Sequence, residues 1–183
     1  MKGFVFCSLV VLVLALSACG RSSTVAVPPT PTPTQSTSHY TAKLRALNRS
    51  GVSGTVDLQL TGNMLAVTVN VTGLEPNQIH MQHIHGSHDV VSTCPTAADA
   101  NASGIITVDK ALQIIGPVAF GFEPYAPADR YGAVRWSKTF VLDSSVLWAI
   151  TPLVQHVVVF HGMTYRGTYD DVLPSACGSI QAI

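Results

Sequence analysis

The stretch TVDLQLTGNMLAVTVNVT, residues 55–72, decides the fold. Its apolar residues occupy alternate positions, first in residues 56–60 and then in residues 65–71. Neighbouring side chains of a β-strand point to opposite faces, so this alternation predicts two strands that each have one buried and one wet face. The dipeptide Gly62-Asn63 lies between the two runs and is typical of a tight turn. The stretch therefore predicts a β-hairpin.

Short β-strands also dominate the prediction for the rest of the chain. Turn residues separate the apolar runs, and no segment combines a helical period with capping signals over more than about three turns. Residues 144–150 are expected to form one or two helical turns. Short strands of this kind are typical of a β-sandwich or a β-barrel. Further strands are predicted at residues 40–46, 79–85, 105–108, 118–122, 136–142, 155–161 and 178–183.

The N-terminus has the features of an export signal. Lys2 is followed by an apolar run from Phe4 to Ala18, which accounts for much of the mean hydropathy of +0.34. The run is shorter than the roughly 20 residues that a transmembrane helix needs. It ends in Leu16-Ser17-Ala18-Cys19, which resembles the lipobox of bacterial lipoproteins. This motif predicts cleavage before Cys19 and acyl chains on its thiol, which would anchor the protein to a membrane of the bacterial cell envelope. An ordinary signal peptide with a chance cysteine is the alternative.

The chain divides into a leader, a stalk and one domain. Residues 1–18 are the predicted signal peptide, and residues 19–38 are the lipidated cysteine followed by a Pro-, Thr- and Ser-rich stalk that should be extended. Residues 39–183 have the usual length of a single domain. Ten Lys and Arg residues balance ten Asp and Glu residues, and no block of like charge occurs. The clustered basic surface that nucleic-acid binding requires is therefore not expected.

Two of the four cysteines belong to the mature domain. Cys7 is removed with the signal peptide, Cys19 is the predicted lipid anchor, and Cys94 and Cys177 lie in the folded part. Exported domains fold in an oxidising compartment, so we expect Cys94 and Cys177 to form a disulfide bond. The alternative is a pair of metal-binding thiolates, although neither cysteine lies in a CxxC spacing.

Histidines are the candidate metal ligands. Four of the seven lie within residues 80–88, and His161 ends the most apolar predicted strand. His83 and His85 are two residues apart and share a strand face, whereas His80 should face the opposite way. A same-face pair joined by a histidine from a neighbouring strand suits copper or zinc. The alternative for any single histidine is an ordinary hydrogen-bonded residue.

Several segments together resemble the copper/zinc superoxide dismutases in order and spacing. The resemblance covers residues 40–180, although residues 95–155 match poorly. It implies an all-β fold, a Greek-key β-barrel or sandwich of about eight strands with one disulfide bond, since both cysteines stand where that family has its intrasubunit disulfide. The matching segments are Gly73-Leu74, His80-x-x-His83-x-His85, Cys94, Val157 to His161, Asp170-Asp171 and Ala176 to Ile180.

The resemblance also implies a metal and a substrate. His83, His85 and His161 correspond to three of the copper ligands, and His80 corresponds to a buried histidine that braces the site. Copper would then be the cofactor, and superoxide would be oxidised and reduced in turn. A copper site without catalysis is the alternative within the same fold.

Four more residues stand near this motif. Asp170 and Asp171 either orient a copper-binding histidine through a hydrogen bond or cap a turn. His88 is the candidate for a fourth copper ligand. His156 is an odd number of residues from His161 and should face away from it.

Two departures from the family leave the activity open. The family's bridging histidine and further zinc ligands follow the first half-cystine, but residues 95–155 contain no histidine, so no zinc site is expected. The arginine that attracts superoxide in the family is replaced by Pro174. Without that positive charge, the steering of an anion to the metal must be weaker or come from elsewhere. Whether the domain is an enzyme is therefore undecided by the sequence.

Two further patterns give alternative functions. Residues 99–106 have the rhythm of a calcium-binding EF-hand loop, but Lys110 stands where a bidentate carboxylate is needed. A turn leading into a strand is therefore favoured over calcium at Asp99–Gly104. The segment His83 to Gly86 also resembles the His-Ile-His-Gly segment of chordin-repeat (CHRD) domains, which implies an interaction module without redox chemistry.

Aromatic residues are concentrated in the region that matches the family poorly. Phe120, Phe122, Tyr125 and Tyr131 have prolines among them. They either line a binding groove or pack within loops, and loop packing is favoured.

Overall fold

The structure, a computed structural model, describes residues 35–183. The predicted signal peptide, Cys19 and the stalk up to residue 34 lie outside the described residues, so the predictions for them stay predictions. The first strand begins at Thr37, two residues before the domain boundary that the sequence suggested. None of the described helices is both long and apolar enough to span a bilayer.

Eight antiparallel strands form one curled sheet, which confirms the all-β prediction. The order along the sheet is β5-β4-β7-β8-β1-β2-β3-β6, so the connections from β3 to β4 and from β5 to β6 cross between its two ends. The predicted hairpin is β2 and β3. The strands are β1 (Thr37–Ala46), β2 (Ser53–Thr61), β3 (Met64–Thr72), β4 (Gln82–His85), β5 (Val118–Gly121), β6 (Val134–Val141), β7 (Val157–Tyr165) and β8 (Thr168–Ala182).

Aromatic side chains bring the two edge strands of the curled sheet together. Phe120 of β5 lies with its ring centroid 5.2 Å from that of Phe140 on β6. Phe122 and Trp136 pack edge to face beside them, with centroids 5.9 Å apart. Phe120 and Phe122 therefore belong to the core of the barrel rather than to a groove. Tyr131 is 73 % exposed, so it neither lines a groove nor packs within a loop.

The outer face of the sheet carries a second, smaller core. Val158 and Phe160 of β7 point into the barrel, whereas Val157 and Val159 point outward. The outward pair packs against the segment 94–117, which we call the cover, and which contributes Ile106, Ala111 and Ile115 to this cluster. Both faces of β7 are thus buried, which explains why its sequence is continuously apolar.

The main error of the sequence prediction concerns the cover. Residues 105–108 were expected to form a strand, but the chain turns there and enters α1 (Val108–Ile115). Thr107 caps this helix, since its hydroxyl oxygen accepts a hydrogen bond from the Lys110 amide. Two turns of apolar residues at helical spacing were too short to stand out in the sequence. The predicted helical turns at residues 144–150 are confirmed as α2 (Ser144–Ile150).

Cys94 and Cys177 form a disulfide bond, as predicted, with their Cα atoms 5.7 Å apart. The bond ties the start of the cover to the middle of β8 and excludes both sulfurs as thiolate metal ligands. Cys177 is buried in the outer core beside Leu47, Ile106 and Val159. The cover is therefore fastened covalently to the sheet that it buries.

Removal of this disulfide should destabilise the domain strongly. The bond closes a loop of 83 residues, for which the chain-entropy relation gives about 4 kcal/mol. We expect the Cys94→Ala/Cys177→Ala variant to lose about 3–5 kcal/mol of unfolding free energy in urea titrations. A reductant should destabilise the wild type and leave the double variant unchanged. Equal unfolding free energies for the two proteins would contradict this account.

Candidate metal centre

Three histidines converge on the outer face of the sheet, next to the outer core. His83, His85 and His161 each offer a ring nitrogen, and these three atoms all lie within 4.8 Å of one another. Ile84, which separates the first two, is fully buried in the barrel core. The same-face arrangement that the spacing predicted for His83 and His85 is therefore present. The pairing of β4 with β7 supplies the third ring, because His161 lies one residue beyond the Gln82–Phe160 pair.

A local irregularity in β7 directs His161 toward the pair. The register between β7 and β8 shifts on both sides of His161, which is the behaviour of a β-bulge. Gly162 follows with φ +94°, a conformation that side chains rarely adopt. A Cβ atom at this position would also collide with the Tyr169 hydroxyl and lie 3.0 Å from His80 Nδ1. Glycine is thus required here both by the backbone and by the space.

Main-chain carbonyls determine which ring nitrogen of His85 and of His161 is unprotonated. His85 Nδ1 lies 3.1 Å from the Gly116 carbonyl oxygen, and His161 Nδ1 lies 2.7 Å from that of Val172. A carbonyl oxygen only accepts, so each Nδ1 carries the proton and each Nε2 of the neutral ring carries a lone pair. The two Nε2 atoms are 3.4 Å apart. With neither able to donate, two lone pairs face one another, an arrangement that a cation between them would stabilise.

The third histidine presents the other ring nitrogen. His83 Nε2 lies 2.7 Å from the Tyr125 hydroxyl. His83 Nδ1 is buried and has no hydrogen-bond partner among residues 35–183. Leaving a buried polar atom unpaired costs about 1–3 kcal/mol, a cost that a bound metal would remove. The residues present therefore fit a metal ion held by one Nδ1 and two Nε2 atoms.

All three imidazoles are held in the neutral form. Burial, and then the neighbouring His161 and His85, lower the pKa of His83 to about 4. Burial likewise lowers the pKa of His85 to about 4, against the opposing effect of its hydrogen bond to Gly116. The pKa of His161 is also lowered by burial. Neutral imidazole is the form that binds copper and zinc.

His80 contacts the main chain around the site and is not part of the three-histidine group. Its Nδ1 lies 2.9 Å from the His161 carbonyl oxygen, and its Nε2 lies 3.0 Å from that of Glu75. Tyr169 packs edge-on against its ring and donates its hydroxyl to the Ile79 carbonyl. The side chain is fully buried. His80 thus braces the bulge that carries His161, which is the contact expected of it.

Asp170 does cap a turn, and this turn reaches the site. Its carboxylate accepts hydrogen bonds from the Val172 and Leu173 amides, each at 3.2 Å. The carbonyl of Val172 then accepts the proton of His161 Nδ1. Asp170 therefore orients a histidine through the backbone, without touching the ring. Asp171 is exposed, and its charge adds to burial in raising the pKa of Tyr169 to about 12.

His88 and His156 lie away from the group. His88 stacks on Trp148 with ring centroids 4.4 Å apart, and its Nδ1 lies 2.9 Å from the Trp148 carbonyl oxygen. It is not among the residues whose nitrogens lie within 4.8 Å of one another, so the structure does not bring it to the position of a fourth ligand. His156 is buried with its ring between the carbonyls of Ala149 and Pro152, on the side predicted for it.

The loop that resembles a calcium site uses its oxygens within its own turn. Asp99 accepts hydrogen bonds from the amide and hydroxyl of Thr96, and these bonds lower the pKa of its carboxyl. The Asn101 side-chain oxygen accepts hydrogen bonds from the amides of Ser103 and Ile105. The structure has a turn here, and this turn leads into α1 and not into the strand that was predicted.

Comparison with known proteins gives a single kind of match. No family model matches the chain, and no curated protein does. Among solved structures, the copper(II) form of superoxide dismutase 5 from Candida albicans aligns with a TM-score of 0.48 and 13 % sequence identity. The alignment covers 81 % of this chain and 94 % of that one.

Several contacts of the site could not be read from the sequence. The carbonyls of Gly116 and Val172 set two imidazoles, but every residue has a carbonyl and no pattern marks these. Tyr125 stood among the aromatic residues assigned to a groove or to loop packing, and in fact contacts His83. Its position two residues after Glu123 and four after Gly121 becomes meaningful only once β5 pairs with β4.

The depressed pKa values predict how stability depends on pH. In the unfolded chain, histidine binds a proton below about pH 6.5, whereas His83 and His85 in the folded protein resist protonation down to about pH 4. The unfolded state therefore binds more protons in this window, and stability is lost as the pH falls through it. We expect the Tm of the metal-free protein to drop by several degrees from pH 7 to pH 4.5.

A double variant provides the control for this measurement. His83→Asn/His85→Asn keeps polar side chains at both positions and removes both titrating groups. Its Tm should depend less steeply on pH across the same window. Parallel Tm curves for the variant and the wild type would show that these two imidazoles do not titrate as described.

Proposed function

We propose that the domain binds one copper ion through His83 Nδ1, His85 Nε2 and His161 Nε2, and that it dismutates superoxide. The observation that carries the proposal is the grouping of three ring nitrogens within 4.8 Å of one another. The Nε2 atoms of His85 and His161 lie 3.4 Å apart, and His83 Nδ1 is buried without a hydrogen-bond partner among the described residues. A metal-free interaction module of the CHRD type offers no reason for this arrangement.

Copper rather than zinc follows from the reaction. Three neutral imidazoles suit either metal. Bound copper would supply the one-electron exchange that dismutation needs, whereas zinc has no redox chemistry. The chain supplies a neutral, buried and pre-oriented set of nitrogens. Carbonyls of the cover and of β8 hold two rings, so little rearrangement is needed when a metal enters.

Access to the site is from the side of His83. His85 and His161 are 1 % and 6 % exposed, whereas His83 is half-buried. A small anion such as superoxide would therefore approach past the His83 ring and Tyr125.

Non-catalytic copper binding is the second candidate, and electrostatics favour it. Pro174, which stands where the family has its arginine, is buried and offers only a carbonyl oxygen, which accepts a hydrogen bond from Asn48. The carboxylate of Glu123 lies 3.1 Å from the Tyr125 hydroxyl, on the open side of the site. A negative charge at this place opposes the arrival of an anion, and the Lys138 ammonium, 2.8 Å from the Glu123 carbonyl oxygen, offsets part of this effect. A copper store or carrier would not need such steering.

Copper binding can be tested by titration of the domain from residue 37 onward. We expect one Cu(II) per chain, with affinity reduced by more than about 100-fold in His85→Ala and in His161→Ala, because each loses a ligand. His88→Ala is the matched control, since this histidine stacks on Trp148 outside the group, and it should bind like the wild type. Loss of copper in His88→Ala alone would contradict the assigned ligand set.

Superoxide consumption separates the two candidates. The copper-loaded wild type should accelerate the decay of superoxide above the rate of free copper held by a chelator, and His161→Ala should not. The rate should be modest and should increase in Glu123→Gln at low ionic strength, because a repelling charge is removed. If the wild type binds copper but does not accelerate superoxide decay, the enzymatic function is excluded and the storage function is retained.

We also propose that the domain is carried on a lipid at the cell envelope. Support comes from the lipobox-like Leu16-Ser17-Ala18-Cys19 and from the disulfide, which requires an oxidising compartment. In a bacterial host, the full chain should incorporate labelled palmitate and partition with membranes. Cys19→Ala should abolish the labelling, and unchanged labelling would show that Cys19 is not the acylated residue.

A further inference from the structure

We propose that Tyr125 and Glu123 are positioning residues that keep the proton of His83 on Nε2 and thereby make Nδ1 its metal-binding atom. The inference rests on the proposed copper site for its purpose. Its physical content, however, concerns the metal-free protein and can be tested there.

The three groups form a chain of hydrogen bonds from the site to the surface. The Tyr125 hydroxyl oxygen lies 2.7 Å from His83 Nε2 and 3.1 Å from a carboxylate oxygen of Glu123. Tyr125 is half-buried and Glu123 is exposed. The Tyr125 and His83 rings also pack edge to face, with centroids 5.7 Å apart.

The direction of the Tyr125–Glu123 hydrogen bond determines the direction of the Tyr125–His83 hydrogen bond. A carboxylate accepts hydrogen bonds and does not donate them, so the single hydroxyl proton of Tyr125 points to Glu123. The phenol oxygen then turns a lone pair to His83 Nε2, which must carry the proton. In a neutral imidazole the remaining nitrogen, Nδ1, is unprotonated. Nδ1 is also the buried atom that has no partner.

A glycine makes room for this contact. Gly121 of β5 lies opposite His83 of β4 in the antiparallel register. A Cβ atom on Gly121 would approach the Tyr125 hydroxyl to 2.9 Å and the His83 ring to 3.5 Å. Any side chain at this position would displace the tyrosine from the histidine. The space opposite His83 is therefore filled by a hydroxyl group instead of a β-carbon.

The phenol is suited to this role because it keeps its proton. Burial, and then the charge of Glu123, raise the pKa of Tyr125 above its ordinary value. The backbone of Glu123 is held in turn by Lys138, whose ammonium donates to its carbonyl oxygen at 2.8 Å. The main chain that carries the acceptor is thus held by a residue of β6.

The tautomers of the three histidines are consequently determined in two different ways. His85 and His161 are protonated on Nδ1 because carbonyl oxygens accept from that atom. His83 has the opposite tautomer, and side chains alone set it. Its tautomer can therefore be altered by substitution, whereas the other two cannot.

Imidazole ¹⁵N NMR of the metal-free protein at pH 7 tests the assignment directly. We expect His83 in the wild type to be protonated on Nε2 only. Tyr125→Phe removes the acceptor, and Glu123→Ala frees the hydroxyl proton to point at His83. In both variants the His83 shifts should move toward a mixture of tautomers. Glu123→Gln retains an acceptor oxygen and should restore the wild-type spectrum.

Tyr131 provides the matched control for Tyr125. Tyr131→Phe removes an exposed hydroxyl that accepts a hydrogen bond from Arg130 and should leave the His83 signals unchanged. Protonation of His83 on Nδ1 in the wild type would overturn the inference. So would unchanged His83 shifts in Glu123→Ala, a variant at an exposed side chain that should fold normally.

Copper binding gives a second readout that separates this inference from the proposed function. Tyr125→Phe and Glu123→Ala should bind Cu(II) about 10-fold to 100-fold more weakly and change its electron paramagnetic resonance spectrum, with Glu123→Gln restoring both. Failure of the wild type to bind copper would refute the proposed function. The NMR measurement on the metal-free protein would still test the tautomer of His83 independently. Wild-type affinity and spectra in Glu123→Ala would refute the role of the pair in metal binding.

Discussion

The antiparallel pairing of β4 with β7 is the constraint on which the rest of the structure depends. It joins two strands that are buried on both faces, so each residue belongs either to the barrel core or to the outer surface beneath the cover. Ile84 and Phe160 fill the core, which leaves His83, His85 and His161 on the other side. A shift of register by one residue would exchange the two sets and place imidazoles in the core. The hydrophobic effect that closes the barrel thereby also assembles the polar cluster.

Burial of this cluster is tolerated because one nitrogen of each ring has a hydrogen-bond partner. Carbonyls of Gly116 and Val172 accept from two rings, and Tyr125 accepts from the third. What stays unpaired is a small set of lone pairs at one point. The low pKa values of His83 and His85 follow from the same burial, because a proton on any ring would have to enter a poorly solvated place beside other imidazoles. The site thus disfavours protons, and its unpaired ring nitrogens suit the proposed copper ion.

The sequence predicted what depends on short-range pattern and failed where long-range packing decides. Alternation in residues 55–72 marked both strands of the hairpin, and strand parity placed His83 and His85 together. The disulfide followed from the expected compartment. Residues 105–108 were misassigned because the two-turn helix α1 gains its stability from packing on Val157 and Val159, far away in the chain. The partners of the histidines are carbonyls or residues of β5 and its following loop, and their roles arise only when the strands pair.

The way in which the cover is attached sets an order of events for the maturing protein. Cys94 binds one end of the cover to β8, and the Gly116 carbonyl near the other end holds the His85 ring. The segment between them carries α1, which buries the outer core. In a chain with free thiols, one of these two attachments does not exist. Under the proposed copper function, oxidation of the cysteines should therefore come before metal binding, so that the redox state of the surroundings controls when the site is complete.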